Sequence, residues 1–207
     1  MLTFDQPSHT YTLDGARLPS VTQVLDQLGS YAGIPEDVLA RKAEIGDAVH
    51  LCTELYDRDE LDTDSVPPEI AGYFAGWLRF REETGFTPIL IEERVYSKTF
   101  RYAGTLDRTG TFSKMKGIKP DAQVMVDLKC TYRLMASVGP QTAAYVAALN
   151  EQNRSLVQIK RRFAVRLVND GTYQLEELRD PTDLSVFLAA TTLYHWKQRH
   201  AAKGART

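Results

Sequence analysis

The chain has 207 residues, 43% hydrophobic and 25% charged, with a formal net charge of −2 and a pI near 6.1. That length suits one domain with a sizeable core and leaves little room for two. The near-neutral balance excludes gripping a polyanion by bulk positive charge, so any such contact must come from local clusters. No apolar run approaches the roughly 20 residues needed to cross a bilayer, and no signal peptide is visible, so no membrane association is expected. Cys52 and Cys130 read as buried thiols in a reducing cytoplasm, too few for an iron–sulfur cluster, which takes about four cysteines.

In chain order, Thr10–Leu13 and Arg17–Leu18 flank Asp14-Gly15 and predict a short hairpin, because Asp-Gly suits a tight turn. Ser20 is a good N-cap for a short helix to about Leu28, with Gly29 as its stop. Pro35 opens a longer helix to about Tyr56, on which Ile45, Val49, Cys52 and Tyr56 recur at helical spacing. An acidic loop over 57–68 leads to a third helix, about Glu69 to Thr84, ended by Gly85. Three strands follow at 88–97, 101–112 and 122–130, rich in Ile, Val, Tyr and Thr. The lysine-bearing stretch 113–120 reads as an exposed loop. Gly139-Pro140 introduces a helix to about Gln152; strands at 157–168 and 172–178 surround Asn169-Asp170-Gly171, and a last helix spans about Pro181 to Ala202. This order predicts a single α/β domain over 1–207 with a mixed sheet: hairpin and short helix over 1–34, core over 35–178, C-terminal helix over 179–207.

Four short patterns carry candidate chemistry. Asp127 and Lys129 share one face of an apolar strand, because side chains alternate with period two. On that spacing alone, a local ion pair on a solvated edge strand is the stronger reading. Asp107 lies in a strand with Gly104 three positions earlier; it reads equally as a strand-end Asp before Gly110 or as a neighbour of Asp127. Two adjacent carboxylates would invite a divalent cation. Gly46 and His50 share a helix face, and close approach of a neighbouring element would explain the glycine; the histidine is either packed or a ligand. Gln141 and Tyr145 share a face of the later helix, either as a boundary pair or with polar tips in a cleft.

The ordered set G-x-x-x-H (Gly46, His50), G-x-x-D (Gly104, Asp107), D-x-K (Asp127, Lys129) and Q-x-x-x-Y (Gln141, Tyr145) resembles the RecB-like branch of the PD-(D/E)XK nucleases, over about residues 40 to 150. Tyr11–Gly15 followed by Pro19–Thr22 resembles the opening of phage-encoded exonucleases of that branch. The four-cysteine cluster of its helicase-associated and CRISPR-adaptation members is absent, and the D-x-K motif here is D-L-K.

The resemblance implies a restriction-endonuclease-like core (αβββαβ) and a divalent-metal-dependent DNA nuclease, with Mg²⁺ as cofactor and Mn²⁺ as substitute. The expected activity is a phage- or prophage-type exonuclease in recombination, repair or DNA processing. A structure-specific or nicking endonuclease and a catalytically silent DNA-binding scaffold are the alternatives. Asp107, Asp127 and Lys129 would be catalytic, and His50, Asp107, Asp127 and the Leu128 carbonyl would hold metal. Gln141 and Tyr145 would touch substrate. Glu92 would hold a second metal or its water, or is simply an exposed strand residue. Ser20 and Thr22 would receive a phosphate at a helix N-terminus, with N-capping as the alternative for Ser20. Basic residues at Arg154, Lys160–Arg162, Arg166 and the tail (Lys197, Arg199, His200, Lys203, Arg206) would meet the DNA backbone. Tyr102, Tyr132, Tyr145 and Trp196 are stacking candidates, with core packing the stronger reading of each. DNA is the expected partner; a strand-annealing or recombination protein and a homo-oligomer are left open. A nucleotide-dependent enzyme is disfavoured because no Walker-type or G-x-G-x-x-G loop is present.

Overall fold

The computed structural model describes residues 1–29, 36–152 and 158–204. Its centre is a five-stranded mixed sheet in the order β4 (Phe86–Ser97), β5 (Tyr102–Phe112), β6 (Val124–Lys129), β7 (Arg161–Leu167), β8 (Tyr173–Glu177). The β6–β7 pair is parallel and the other neighbours are antiparallel. A parallel pair needs a crossover, and helix α4 (Val138–Glu151) lies within it.

Helices cover both faces, as an apolar sheet requires. Val124, Val126 and Leu128 of β6 join a core with α2 (Glu36–Asp57) and α3 (Pro68–Thr84), around the aromatics Trp77, Phe80, Phe86, Phe112 and Phe163. Burial of each such side chain contributes roughly 1.5–3 kcal/mol. Met125 turns to the opposite core with α1 (Val21–Leu25), α4 and α5 (Asp183–Gly204). The expected stripe on α2 is present: Val49 and Cys52 are buried, and Ile45 and Tyr56 pack against them. Among the described residues no helix is long and apolar enough to cross a membrane, and both cysteines are free thiols.

The predicted hairpin gains a strand that patterning missed. β1 (Leu2–Asp5), β2 (Thr10–Leu13) and β3 (Ala16–Leu18) form a separate antiparallel sheet. β1 is short and only half-buried, so its apolar signal is weak. The short helix divides as well: α1 stops at Leu25, and a 3₁₀ turn over Asp26–Leu28 ends at Gly29, whose φ of 66° favours glycine. The predicted opening of α2 at Pro35 lies outside the described residues.

What positions the site is a fork in the sheet. β5 and β6 pair only over Arg108–Gly110 and Val124–Val126, then separate. The freed side of β5 is taken by the N-terminal segment: Ala103 N–H donates to the Pro19 carbonyl at 3.0 Å, and the Tyr11 and Thr105 hydroxyls lie 2.8 Å apart. β5 also changes phase at the fork. Leu106 packs with the α4-side core, whereas Arg108, two residues on, turns toward α2. A regular strand keeps such residues on one face. The β4–β5 register omits the Glu92–Asp107 pair at that point, and Glu92 has a φ of 48°.

Candidate metal centre

Asp107 stands at the fork. Its Oδ2 accepts the Leu128 backbone N–H at 2.7 Å, a side-chain bond made just past the last β5–β6 ladder pair. Asp107 is therefore mid-strand and nearly buried, which removes its reading as a strand-end turn residue. Its Oδ1 lies 3.9 Å from His50 Nδ1, and the same nitrogen is 3.4 Å from Glu92 Oε1. His50, Glu92 and Asp107 each bring one ligand atom within 4.8 Å of the others, a grouping able to hold a metal ion. Glu92, left between two readings by the sequence, thus belongs to the cluster. Burial alone would pull the His50 imidazole down, but the carboxylates of Asp107 and Glu92 outweigh it and hold it up at about 9.

Asp127 follows Met125 onto the α4 side of β6 and its side chain is fully buried. A solvated edge-strand ion pair is therefore excluded, since β6 is the central strand. Lys129 Nζ lies 2.5 Å from Asp127 Oδ2, while Oδ1 has no hydrogen-bond partner among the described residues. Burial pushes the Asp127 carboxyl up, and Lys129 only partly offsets it. A buried carboxylate oxygen with no partner costs free energy, and a cation at the fork would satisfy it. One imidazole and two carboxylates, His50, Glu92 and Asp107, form a donor set that a divalent metal such as Mg²⁺ or Mn²⁺ can use, with the Asp127–Lys129 pair on the neighbouring strand. Leu128 meets the site here through its backbone N–H, which Asp107 accepts.

Tyr145 closes the α4 side. A Cβ on Gly104 would lie 2.5 Å from Tyr145 Cε1 and 3.2 Å from Val21 Cγ2, so the glycine admits the ring. Gln141 Nε2 donates to the Tyr145 hydroxyl at 3.3 Å. Burial, with the charges of Asp107 and Asp127 adding to it, holds the Tyr145 hydroxyl well above its ordinary range, so it is a neutral donor. Two of the four sequence patterns are thus one packing unit. The expected reason for Gly46 fails: a Cβ there meets nothing within 4 Å among the described residues, leaving open space one turn before His50.

The residue that sequence reasoning missed is Arg108. It is fully buried and donates through Nε to Asp57 Oδ2 (2.7 Å), and through Nη1 to Glu92 Oε1 (2.8 Å) and its neighbour's carbonyl at Asp107 (2.8 Å). Nη2 reaches Thr53 Oγ1 at 3.2 Å. Asp57 Oδ1 accepts from Arg81 at 2.8 Å and from Trp77 at 3.1 Å. The network clamps Glu92 in a left-handed conformation, a form of backbone strain that persists only where surroundings enforce it. An arginine inside an apolar strand was the only available signal, and its partners lie on distant elements.

The remaining candidates divide. Ser20 is buried and makes a complete capping box with Gln23, and α1 has only five residues, so its hydroxyl is a cap rather than a phosphate seat. Thr22, whose hydroxyl lies 2.9 Å from that of Ser20, is exposed. Arg161 is committed to Glu177 and Arg162 to Asp183, so the predicted basic run is mostly structural. Arg154 and Arg206 lie outside the described residues, as does the side chain of Lys203. Lys197 reaches Gln27, and Arg199 lines a groove at the β4–β5 turn with Arg101 and His195. Tyr102 is a core residue that donates to the Ala144 carbonyl, and Tyr145 is buried; neither offers a face to a base. Tyr132 and Trp196 are exposed. No family model matches this chain, and no curated protein sequence matches it.

Proposed function

We propose that the chain is a divalent-metal-dependent DNA nuclease of the PD-(D/E)XK type with a restriction-endonuclease-like core, acting as an exonuclease. The observation that carries the reading is the grouping of His50, Glu92 and Asp107 at the fork, fastened through Asp107 to the strand that bears the buried Asp127–Lys129 pair. The order α2/α3, β4, β5, β6, α4, β7 supports the same core. So does the coupling of Gly104 to Tyr145, which ties two of the motifs together in space.

His50, Glu92, Asp107 and Asp127 would hold the metal, with the Leu128 carbonyl as a further donor. When bound, the metal supplies Lewis-acid polarisation of the phosphate and lowers the pKa of water. Asp107 uses one oxygen to fix β6 and leaves the other for ligation. Lys129, held against Asp127, places a positive charge where charge builds on the phosphate and orients the attacking water. Tyr145, neutral and tethered to Gln141, presents a hydrogen-bond donor to the cleft. A silent DNA-binding module is disfavoured because the sequence keeps Asp107, Asp127 and Lys129, which decayed relatives would lose first.

The substrate test compares linear, nicked and circular DNA, with linear DNA labelled separately at its 5′ and 3′ ends. Degradation confined to linear DNA from one end supports an exonuclease; cutting of closed circles makes the chain an endonuclease of the same chemistry.

A further inference from the structure

A groove of about 460 Å³ is lined by residues that adjoin the metal cluster in the chain. Cys130 and Thr131, directly after Lys129, line one side, and Ile45, directly before Gly46, lines the other. Its rim carries Arg41 and Lys42 from α2 and Arg166 from β7, three cations on two elements. Arg41 and Lys42 are exposed. Arg166 donates to the Thr131 carbonyl and to Gln174, which fixes its guanidinium at the rim. Tyr132 stands at the same rim with 90% of its surface exposed. An aromatic ring held almost wholly in water on a rim that also carries three cations has no packing role among the described residues.

We infer that this groove is the path of an unpaired DNA strand leaving the cleavage centre, with Tyr132 stacking on a base and Arg41, Lys42 and Arg166 meeting successive phosphates. The inference rests on the nuclease reading for its direction. Its choice of a single strand rests on chemistry: base faces inside a duplex are covered by their neighbours, so an exposed ring serves only unpaired bases. Cations spaced along a groove track the backbone without regard to sequence.

The test is fluorescence anisotropy with a labelled oligothymidylate and a blunt duplex, in EDTA so that nothing is cut, across a salt series. Tyr132→Ala is expected to weaken oligothymidylate binding about tenfold while blunt-duplex binding changes less than about twofold. Arg41→Gln/Lys42→Gln is expected to reduce the salt slope for the single strand by about 1.4, since each phosphate contact contributes about 0.7. All three positions lie at the surface, so the fold is retained. Unchanged single-strand binding, or equal losses on both probes, overturns the groove assignment. A larger loss on an oligouridylate than on oligothymidylate overturns the choice of DNA. Failure of the wild type to cut any DNA, with the expected binding pattern intact, would support the groove and contradict the activity alone.

Discussion

Asp107 Oδ2 accepts the Leu128 backbone N–H at 2.7 Å, so the carboxylate proposed to hold metal also fastens the strand that carries Asp127 and Lys129. The two roles are separable by substitution. Asp107→Asn keeps an acceptor for Leu128 and removes the charge. It is expected to fold with little loss of stability and to bind Mn²⁺ at least tenfold more weakly by calorimetric titration. Asp107→Ala loses the bond too and leaves a buried N–H unsatisfied, which costs about 1–3 kcal/mol in urea unfolding. Equal stability of the two variants would contradict the strand-fastening role.

Gly104→Ala forces a methyl to within 2.5 Å of the Tyr145 ring. Overpacking of this kind costs about 1–3 kcal/mol. The cost should shrink when Tyr145 is first replaced by leucine, because the clash is with that ring. Additive effects in a double-mutant cycle would show that the glycine serves something else.

Arg108→Met should destabilise the protein by about 3–5 kcal/mol, since it strands Asp57 and Glu92 around a buried site. Glu92 would also be released from its left-handed conformation, so Mn²⁺ affinity should fall in parallel. Chemical denaturation and metal titration on the same preparation check both. A loss below about 1 kcal/mol would mean that the network is not structural.

Acid stability should carry a contribution from Glu177. The bidentate hydrogen bonds from Arg161 pull its carboxyl down to about 2, against the opposing effect of burial. A carboxyl depressed on folding stabilises the native state fully above its ordinary value of 4.5, and that contribution is lost as pH falls toward about 2. The Tm difference between wild type and Glu177→Gln should therefore be largest above about pH 5 and close between about pH 4.5 and pH 2. A difference that stays constant across that range would rule out this ion pair as its source.

How far the sequence disclosed this arrangement depended on periodicity. The stripe Ile45, Val49, Cys52, Tyr56 and the alternation along β6 were legible because each element is regular there. The phase change of β5 at Asp107 was not, because period two cannot announce its own interruption. Glu92 was ambiguous for the same reason: its backbone leaves the strand region, and only the fold shows Arg108 holding it. Arg161 and Arg162 looked like free cations because their partners, Glu177 and Asp183, lie 16 and 21 residues away. Gly46 was assigned a close neighbour that is not found among the described residues.

The most direct measurement is cleavage of an end-labelled linear duplex with Mg²⁺, Mn²⁺, Ca²⁺ or EDTA, comparing wild type with Asp127→Asn and Lys129→Ala. Both variants should retain the wild-type circular dichroism spectrum. Cleavage by the wild type is expected with Mg²⁺ or Mn²⁺ and none in EDTA, with at least a hundredfold loss in each variant, since each removes charge stabilisation of the order of one oxyanion-hole donor. Cleavage that persists in EDTA, or that survives both substitutions, would contradict a metal-dependent centre at Asp127 and Lys129.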